Sequence, residues 1–212
     1  MARILITSGP TRQYLDPVRF LTNGSSGRMG AALAEAVLAG GHEAIIVSGP
    51  VNISYPRDAQ VIPVRTTEEL LAACEQEFPR CTGLIGAAAP CDYRPRQVAE
   101  QKLHKTGGPL LLELIETPDV VAALAALKRA DQWTVGFALE TEDQHFRAVT
   151  KMQRKTCDLM VLNGPAAMDA LENSVEVFDP SGNVVLTTHG PKAVVAHEIF
   201  HLIEQRLIRR SG

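Results

Sequence analysis

The chain has 212 residues, of which 45% are hydrophobic and 21% charged, as in ordinary globular proteins that bury a core without disulfide bonds. Its formal net charge of -3 argues against general nucleic-acid binding, which requires a basic face. No apolar run is long enough to span a bilayer, residues 1–3 lead directly into a strand-like run, and the cysteines include no C-x-x-C pair. We therefore expect a cytoplasmic protein with reduced thiols, no signal peptide and no membrane contact.

Strand-like and helix-like segments alternate along most of the sequence. Short apolar runs predict buried strands at residues 3–7, 44–47, 61–64, 83–89, 133–138 and 159–162. Apolar residues at helical spacing and capping signals predict helices at residues 26–39, 119–127 and 142–155, and a further helix capped by Thr67. This alternation favours a parallel sheet with helices on both faces.

The pattern changes near the end of the chain. Residues 175–178 and 184–187 flank a turn sequence and predict a β-hairpin, and residues 192–209 predict a closing helix. No internal repeat or low-complexity linker divides the sequence. We predict a single domain over residues 1–212, with a Rossmann-like three-layer α/β fold, a mainly parallel sheet and a C-terminal antiparallel hairpin.

Residues 23–30 form a glycine-serine loop that precedes the first predicted helix. The first strand is followed by an insertion, residues 13–24, and then by Ser25 and Ser26, which we predict to cap the helix. These hydroxyls and the free amides at the helix start would form an anion site, supported by the helix dipole. The spacing matches neither G-x-G-x-x-G nor the Walker motif, so a tight loop with a well-capped helix also explains it.

A second polar group follows the strand predicted at residues 83–89. Asp92 comes after small side chains that would leave room for a ligand. Residues 94–108, here called the flap, contain prolines, glycines and charges, as loops that close over active sites often do. Lys102 in the flap is the best candidate for a mobile cation that closes over a phosphate. A turn aspartate and a solvated lysine also fit these two residues.

Two lysines and two histidines occur at helical spacing. Lys151 and Lys155 lie one turn apart and repel each other unless an anion lies between or beyond them, although a plain solvated face also fits.

His197 and His201 belong to an H-E-x-x-H sequence, the signature of zinc proteases. A third ligand would have to come from elsewhere, so we interpret this segment as an amphipathic packing helix.

The most specific motifs occur in a fixed order from residue 4 to the last helix. They are SGPTR at 8–12, DPVRF at 16–20, residues 23–30, GAAA at 86–89 with Asp92 and Tyr93, Lys102, PDVV at 118–121, Gly136, Phe137, Lys151, Lys155 and Asn163. In this order they resemble the phosphopantothenoylcysteine synthetases of coenzyme A biosynthesis. The resemblance covers essentially the whole chain.

This resemblance implies a ligase that joins 4'-phosphopantothenate to L-cysteine with CTP and Mg2+ and releases CMP and pyrophosphate. The motifs leave ATP open as the nucleotide. The resemblance also implies a homodimer in which the neighbouring subunit completes each site. Many members carry an N-terminal flavin-dependent decarboxylase domain that this sequence lacks, which indicates a stand-alone synthetase or half of a fusion, with a phosphopantothenoylcysteine decarboxylase as a further partner.

The resemblance also implies roles for individual residues. Nucleotide contacts are implied at Gly9, Ser25, Gly27, Gly30, Gly86, Ala87, Ala88, Asp92, Lys102, Pro118, Asp119, Val120, Val121, Phe137, Lys151, Lys155 and Asn163. Phosphopantothenate contacts are implied at Asn23, Ala88, Ala89 and Asp92, with Arg19 reaching in from the second subunit.

Two of these residues are the expected catalytic ones. The pantothenate carboxylate would attack the α-phosphorus of CTP, and Lys102 and Mg2+ would stabilise the charge on the phosphoryl oxygens. The cysteine amine would then attack the acyl-cytidylate, with the amide of Asn23 as donor near the acyl carbonyl. The family flap commonly reads Lys-x-Lys-Lys, whereas His104 stands at the third of these positions here.

Two other classes of function compete with a ligase. A nicotinamide-dependent oxidoreductase of Rossmann type would need an acidic residue at the end of its second strand, and this strand ends in residues 47–49, Val-Ser-Gly. A non-catalytic nucleotide-binding module would need neither Lys102 nor Asn23.

Overall fold

The computed structural model describes residues 1–164 and 172–209 of the chain. Its strands are β1 Arg3–Ser8, β2 Arg12–Tyr14, β3 Phe20–Thr22, β4 Glu43–Ser48, β5 Gln60–Pro63, β6 Gly83–Gly86, β7 Tyr93–Pro95, β8 Leu114–Glu116, β9 Trp133–Leu139, β10 Leu159–Asn163, β11 Glu172–Phe178 and β12 Val184–Pro191. Its α-helices are α1 Arg28–Ala39, α2 Thr67–Glu77, α3 Val120–Leu127, α4 Gln144–Lys155 and α5 Lys192–Ile203. A π-helical turn, Glu204–Ile208, follows α5.

Eight of these strands form one sheet in the order β12-β11-β10-β9-β6-β1-β4-β5. The strands from β10 to β5 in this order are mutually parallel, whereas β11 is antiparallel to both of its neighbours. The predicted fold class, a mainly parallel sheet with a C-terminal antiparallel hairpin, is therefore confirmed.

Both faces of the sheet are buried, because side chains alternate along each strand and helices cover each side. In β1, Ile4 and Ile6 pack in the core beneath α1 and α5, whereas Leu5 between them packs in the core beneath α2 and α3. Met152 of α4 adds a third cluster near β10 and β11 on that second side. In this three-layer arrangement the carboxyl ends of all the parallel strands lie at one edge of the sheet.

Several predicted boundaries differ from the observed ones. The strand predicted at residues 83–89 ends at Gly86, which leaves the small residues after it in the loop. Thr66, not Thr67, caps α2 through a reciprocal capping box with Glu69. The hydroxyl of Thr67 instead lies buried, 2.9 Å from that of Thr11.

Two short antiparallel hairpins lie outside the main sheet and were not predicted. One pairs β2 with β3 inside the insertion, and the other pairs β7 with β8 at the base of the flap. Each of these strands has three residues, which is too short for an alternating pattern to appear in the sequence. Both hairpins lie on the side of the sheet where the parallel strands end.

Across residues 1–164 and 172–209, none of the helices combines the length and the apolar character that crossing a bilayer requires.

Candidate functional site

A cavity of about 830 Å³ lies at the carboxyl ends of the parallel strands, beside the start of α1. In open α/β sheets this edge is the usual position of a ligand site. Most of the predicted site residues line it: Asn23, Ser25, Gly27, Gly30, Gly86, Ala87, Ala88, Ala89, Asp92, Pro118, Asp119, Val120, Val121, Phe137, Lys151, Lys155 and Asn163. Gly9, Arg19 and Lys102 lie outside its lining.

The glycine-serine loop enters α1 through a glycine. Gly27 is the N-cap residue, with φ 77° in the left-handed region that favours glycine. No side chain caps the helix, so the predicted capping by Ser25 and Ser26 is wrong. The cap position belongs to Gly27, and the two serines lie before it. The first amides of α1 are therefore without a side-chain acceptor at the cavity, as in an anion site.

The start of α1 is pressed closely against β1. A Cβ atom at Gly30 would lie 2.1 Å from Oγ of Ser8. That hydroxyl donates to the Gly27 carbonyl at 3.2 Å and accepts from the Tyr55 hydroxyl at 2.9 Å. Glycine at position 30 is therefore required by packing, and the loop is held from behind by a buried hydrogen-bond network.

Gly9 supports the cavity from outside. It has φ 73°, and a Cβ there would lie 2.7 Å from Cγ1 of Val51. Its carbonyl accepts from the Ala89 amide at 2.9 Å, which joins the loop after β1 to the loop after β6. Gly9 does not line the cavity, and its predicted contact with a nucleotide stays a prediction.

Asn23 joins the glycine-serine loop to the loop that follows β6. Its side-chain nitrogen donates to the carbonyl oxygens of Ala89 at 3.2 Å and Pro90 at 2.8 Å. The side chain is exposed and lies at the cavity mouth, so these protons are within reach of a bound ligand. The amide is thus oriented by two backbone acceptors.

The two lysines of α4 each have a carboxylate partner. Lys151 Nζ lies 2.5 Å from Glu140, which is buried, and Lys155 Nζ lies 3.0 Å from Asp119. Arg154 also reaches Asp119, at 3.5 Å. The sequence indicated that these lysines need an anion. The anions are two carboxylates, Glu140 and Asp119, that lie outside α4 in the sequence but next to it in the fold.

Several further side chains line the cavity and were not predicted, and three of them are polar groups near α4 and the sheet edge. Arg154 lies between the two lysines, Asn173 lies at the start of β11, and Lys192 begins α5. Asn173 is buried and donates to the side-chain oxygen of Asn163 at 2.8 Å. The antiparallel pairing of β11 with β10 brings Asn173 to this edge, which spacing alone does not indicate. Pro191 before a helix start is the sequence signal that marks Lys192.

Arg19 contacts the flap at the residue after Lys102, and both Arg19 and Lys102 lie outside the cavity lining. The Arg19 guanidinium lies 3.2 Å from Asp16 and donates to the Leu103 carbonyl of the same chain. Burial alone would raise the pKa of Asp16. Backbone amides of Val18, Leu103 and Arg19, together with the guanidinium, outweigh it and hold this pKa below its ordinary value.

The described residues offer no alternative centre for thiol or metal chemistry. All four cysteines are free and buried, and burial raises the pKa of Cys81 and of Cys157 to about 11. No group of three or more potential metal-ligating side chains occurs within residues 1–164 and 172–209. His197 and His201 lie exposed on α5, and the buried residues between them face the core, so the interpretation as a packing helix is supported.

The sequence matches a protein-family model described as the DNA/pantothenate metabolism flavoprotein C-terminal domain, over residues 1–207. A coenzyme A biosynthesis bifunctional protein CoaBC from Vibrio cholerae serotype O1 is 38% identical over 211 residues. That match includes 97% of this chain and 53% of the relative. The chain spans about half the length of the curated relatives it matches.

Solved structures show the same fold. The crystal structure of the C-terminal domain of a CoaBC bifunctional protein has 34% identity and a TM-score of 0.82, and the match covers 98% of this chain and 96% of that one. A Cab2 mutant in complex with phosphopantothenate-cysteine has 16% identity and a TM-score of 0.79, with 100% and 89% coverage. The latter likeness concerns the fold alone.

Proposed function

Because this chain belongs to the family of DNA/pantothenate metabolism flavoprotein C-terminal domains, we propose that it is a phosphopantothenate–cysteine ligase of coenzyme A biosynthesis. The observation that carries the proposal is the cavity, whose lining includes all predicted site residues except Gly9, Arg19 and Lys102. We further propose that residues 1–212 act as one domain and that the protein is cytoplasmic. CTP is the proposed nucleotide.

In the first half-reaction the pantothenate carboxylate attacks the α-phosphorus of CTP and pyrophosphate leaves. The uncapped start of α1 offers backbone amides to the phosphates. Lys151, Arg154 and Lys155 supply positive charge on the opposite side of the cavity, where an anionic ligand would compete with Glu140 and Asp119 for them. Cations that meet the charge developing on the phosphoryl oxygens lower the barrier.

In the second half-reaction the cysteine amine attacks the acyl-cytidylate carbonyl and CMP leaves. Asn23 is the proposed donor to the acyl oxygen. Its orientation by the carbonyls of Ala89 and Pro90 supports this role, because a donor that is already fixed needs no reorganisation when charge develops.

Mg2+ is the proposed metal cofactor, carried with the nucleotide. Magnesium is usually bound through substrate phosphates and one or two carboxylates, and the lining offers the exposed carboxylates of Asp92 and Glu116 for this. When bound, the ion would supply charge neutralisation at the phosphates. Asp119 is less suited because it already caps α3 and pairs with Lys155.

We propose a homodimer as the active form, in which Arg19 completes the neighbouring site. In the single chain Arg19 contacts Asp16 through Nε and the Leu103 carbonyl through one terminal nitrogen, so its proposed contact across subunits would use the remaining N–H groups of the guanidinium. A phosphopantothenoylcysteine decarboxylase is a further proposed partner, since the curated relatives are about twice as long.

A nicotinamide-dependent oxidoreductase is less well supported. The strand beside β1 ends at Ser48, whose hydroxyl lies 2.7 Å from that of Tyr55 and donates to the Gly49 carbonyl, so no carboxylate stands where a ribose would be held.

The proposed reaction is tested by pyrophosphate release from the purified protein with Mg2+, phosphopantothenate and L-cysteine. Each of the four ribonucleoside triphosphates is supplied in turn. We expect release with CTP, dependent on phosphopantothenate, and amide product only when L-cysteine is present. Absence of release with every nucleotide would overturn the ligase proposal, and release with ATP alone would overturn the choice of CTP.

A further inference from the structure

The insertion contains one carboxylate that is fully buried, that of Asp16. One of its oxygens accepts from the backbone amides of Val18 at 2.9 Å and Arg19 at 2.8 Å. The other accepts from the Leu103 amide at 3.1 Å and lies 3.2 Å from the Arg19 guanidinium. A buried charge persists only when donors of this kind surround it. The first oxygen alone would be enough to stabilise the turn at residues 16–19.

The second oxygen connects Asp16 to the flap, 87 residues away. Arg19 donates to the carbonyl of the same Leu103, so both backbone groups of that residue are held. Four residues earlier, the Ala99 amide donates to the Leu15 carbonyl at 2.9 Å. Lys102 therefore lies between two fixed points of the flap backbone.

The flap beyond Leu103 has a different character. Residues 104–112 are all exposed, and a Cβ at Gly107 or at Gly108 would meet no atom within 4 Å. The freely exposed part of the flap thus begins after the anchor. Lys102 belongs to the anchored part, although its own side chain is exposed.

We infer that Asp16 is a positioning residue that fixes the backbone of Lys102 for the ligase reaction. The inference rests on the proposed function and on the catalytic role that the family resemblance implies for Lys102. The buried carboxylate holds Leu103 directly and through Arg19. The backbone of the catalytic lysine is therefore fixed, and only its side chain has to move to reach the phosphates. Pre-ordering of a reacting group in this way lowers the entropic part of the barrier.

Asp16→Asn is the substitution that isolates this contact. The retained oxygen can still accept from the Val18 and Arg19 amides, which keeps the turn. The new NH2 group faces two donors, the Leu103 amide and the Arg19 guanidinium, and so breaks the flap side alone. Asp179→Asn is the matched control, because Asp179 also accepts from two backbone amides in a turn, those of Ser181 and Asn183, far from the flap.

We expect Asp16→Asn to lower kcat by about tenfold to a hundredfold, the scale for a displaced reacting group, with KM for CTP changed by less than about threefold. Asp179→Asn should match the wild type in both constants. An Asp16→Asn variant with wild-type kcat, or with a raised KM and unchanged kcat, would overturn the inference. A wild type without any pyrophosphate release would instead overturn the ligase proposal, and the inference with it.

Hydrogen exchange tests the anchor independently of activity and of whether the variant folds. In the wild-type protein the Leu103 amide should exchange at least about tenfold more slowly than the amides of Gly107 and Gly108. In Asp16→Asn that protection should be lost, while the Leu5 amide in β1 stays protected. Equal exchange of the three flap amides in the wild type would overturn the inference.

Discussion

The glycine-serine loop and the flap both contain glycines and both contribute predicted phosphate contacts, but they are held in opposite ways. Gly27 and Gly30 lie where added side-chain atoms would collide with Val51 and Ser8, whereas Gly107 and Gly108 lie in open space. The loop takes its shape from packing against β1, and the flap takes its position from a few polar contacts at its base. Side-chain atoms added at the glycines of the first region should therefore change folding, and loss of polar or charged groups at the base of the second should change chemistry.

The largest effect is expected from Lys102→Gln in the flap. We expect coupling to fall by about a hundredfold or more, because a cation that meets developing phosphoryl charge is lost. The Kd for CTP should rise only modestly, since Lys102 lies outside the cavity lining. Amide formation and equilibrium dialysis of CTP measure the two quantities. Lys105→Gln is the control for charge, and wild-type coupling in Lys102→Gln would remove Lys102 from the mechanism.

Asn23→Asp addresses the junction between the glycine-serine loop and the loop that follows β6. The new carboxylate would face the carbonyl oxygens of Ala89 and Pro90 in place of an amide donor. We expect the amide-forming step to slow by about a hundredfold, the scale for loss of one oriented donor. Single-turnover measurement starting from the acyl-cytidylate isolates that step. Unchanged amide formation, with slowing confined to pyrophosphate release, would contradict the proposed role of Asn23.

Gly30→Ala tests the packing of the first region. An alanine Cβ would lie 2.1 Å from Oγ and 2.5 Å from Cβ of Ser8. Overpacking costs roughly 1–3 kcal/mol, and at such short distances we expect a cost above the roughly 1 kcal/mol that alanine gains over glycine within a helix. Urea unfolding should therefore show a lower free energy of unfolding. Gly108→Ala is the matched control and should leave the unfolding midpoint unchanged; equal midpoints for both variants would show that the close contact relaxes freely.

Thiol labelling gives the smallest effect and compares the packed core with the flap. The native cysteines are buried, and Cys81 and Cys157 have pKa values raised to about 11, so few thiolates form at pH 8. Labelling of the folded wild type should be slow at pH 8 and should accelerate as pH approaches 11. His104→Cys in the exposed flap should react at the rate of a free thiol. Rapid labelling of the wild type would indicate that the packed region opens readily.

The sequence was sufficient for the elements that bury an apolar face. β1, β4, β6, β9 and β10 are short apolar runs between turn signals, and their alternation with helices indicated the parallel sheet and hence the edge where the cavity lies. Periodicity reports burial, so it located the scaffold, whereas most of the lining residues were implied by the family resemblance.

Contacts between residues distant in sequence could not be predicted in the same way. The partners of Lys151 and Lys155 come from a loop and from a helix cap, and Asp16 meets the flap through an 87-residue separation. The helix cap at Gly27 was missed because serines next to a helix start are the commoner cap. No periodic pattern in the sequence indicates such pairs, because each pair forms only when the folded chain brings two distant segments together.

The carboxylate partners of the cations on α4 change the electrostatic free energy that a ligand gains on binding there. Lys151, Arg154 and Lys155 already share Glu140 and Asp119, so two of the three positive charges on this side of the cavity are balanced before an anion arrives. The proposed binding of a nucleotide there would be an exchange of counter-ions in which a phosphate replaces a carboxylate. The released Asp119 also caps α3, so the exchange would be transmitted to a second helix. Affinity should therefore depend less on ionic strength than three unpaired cations would require.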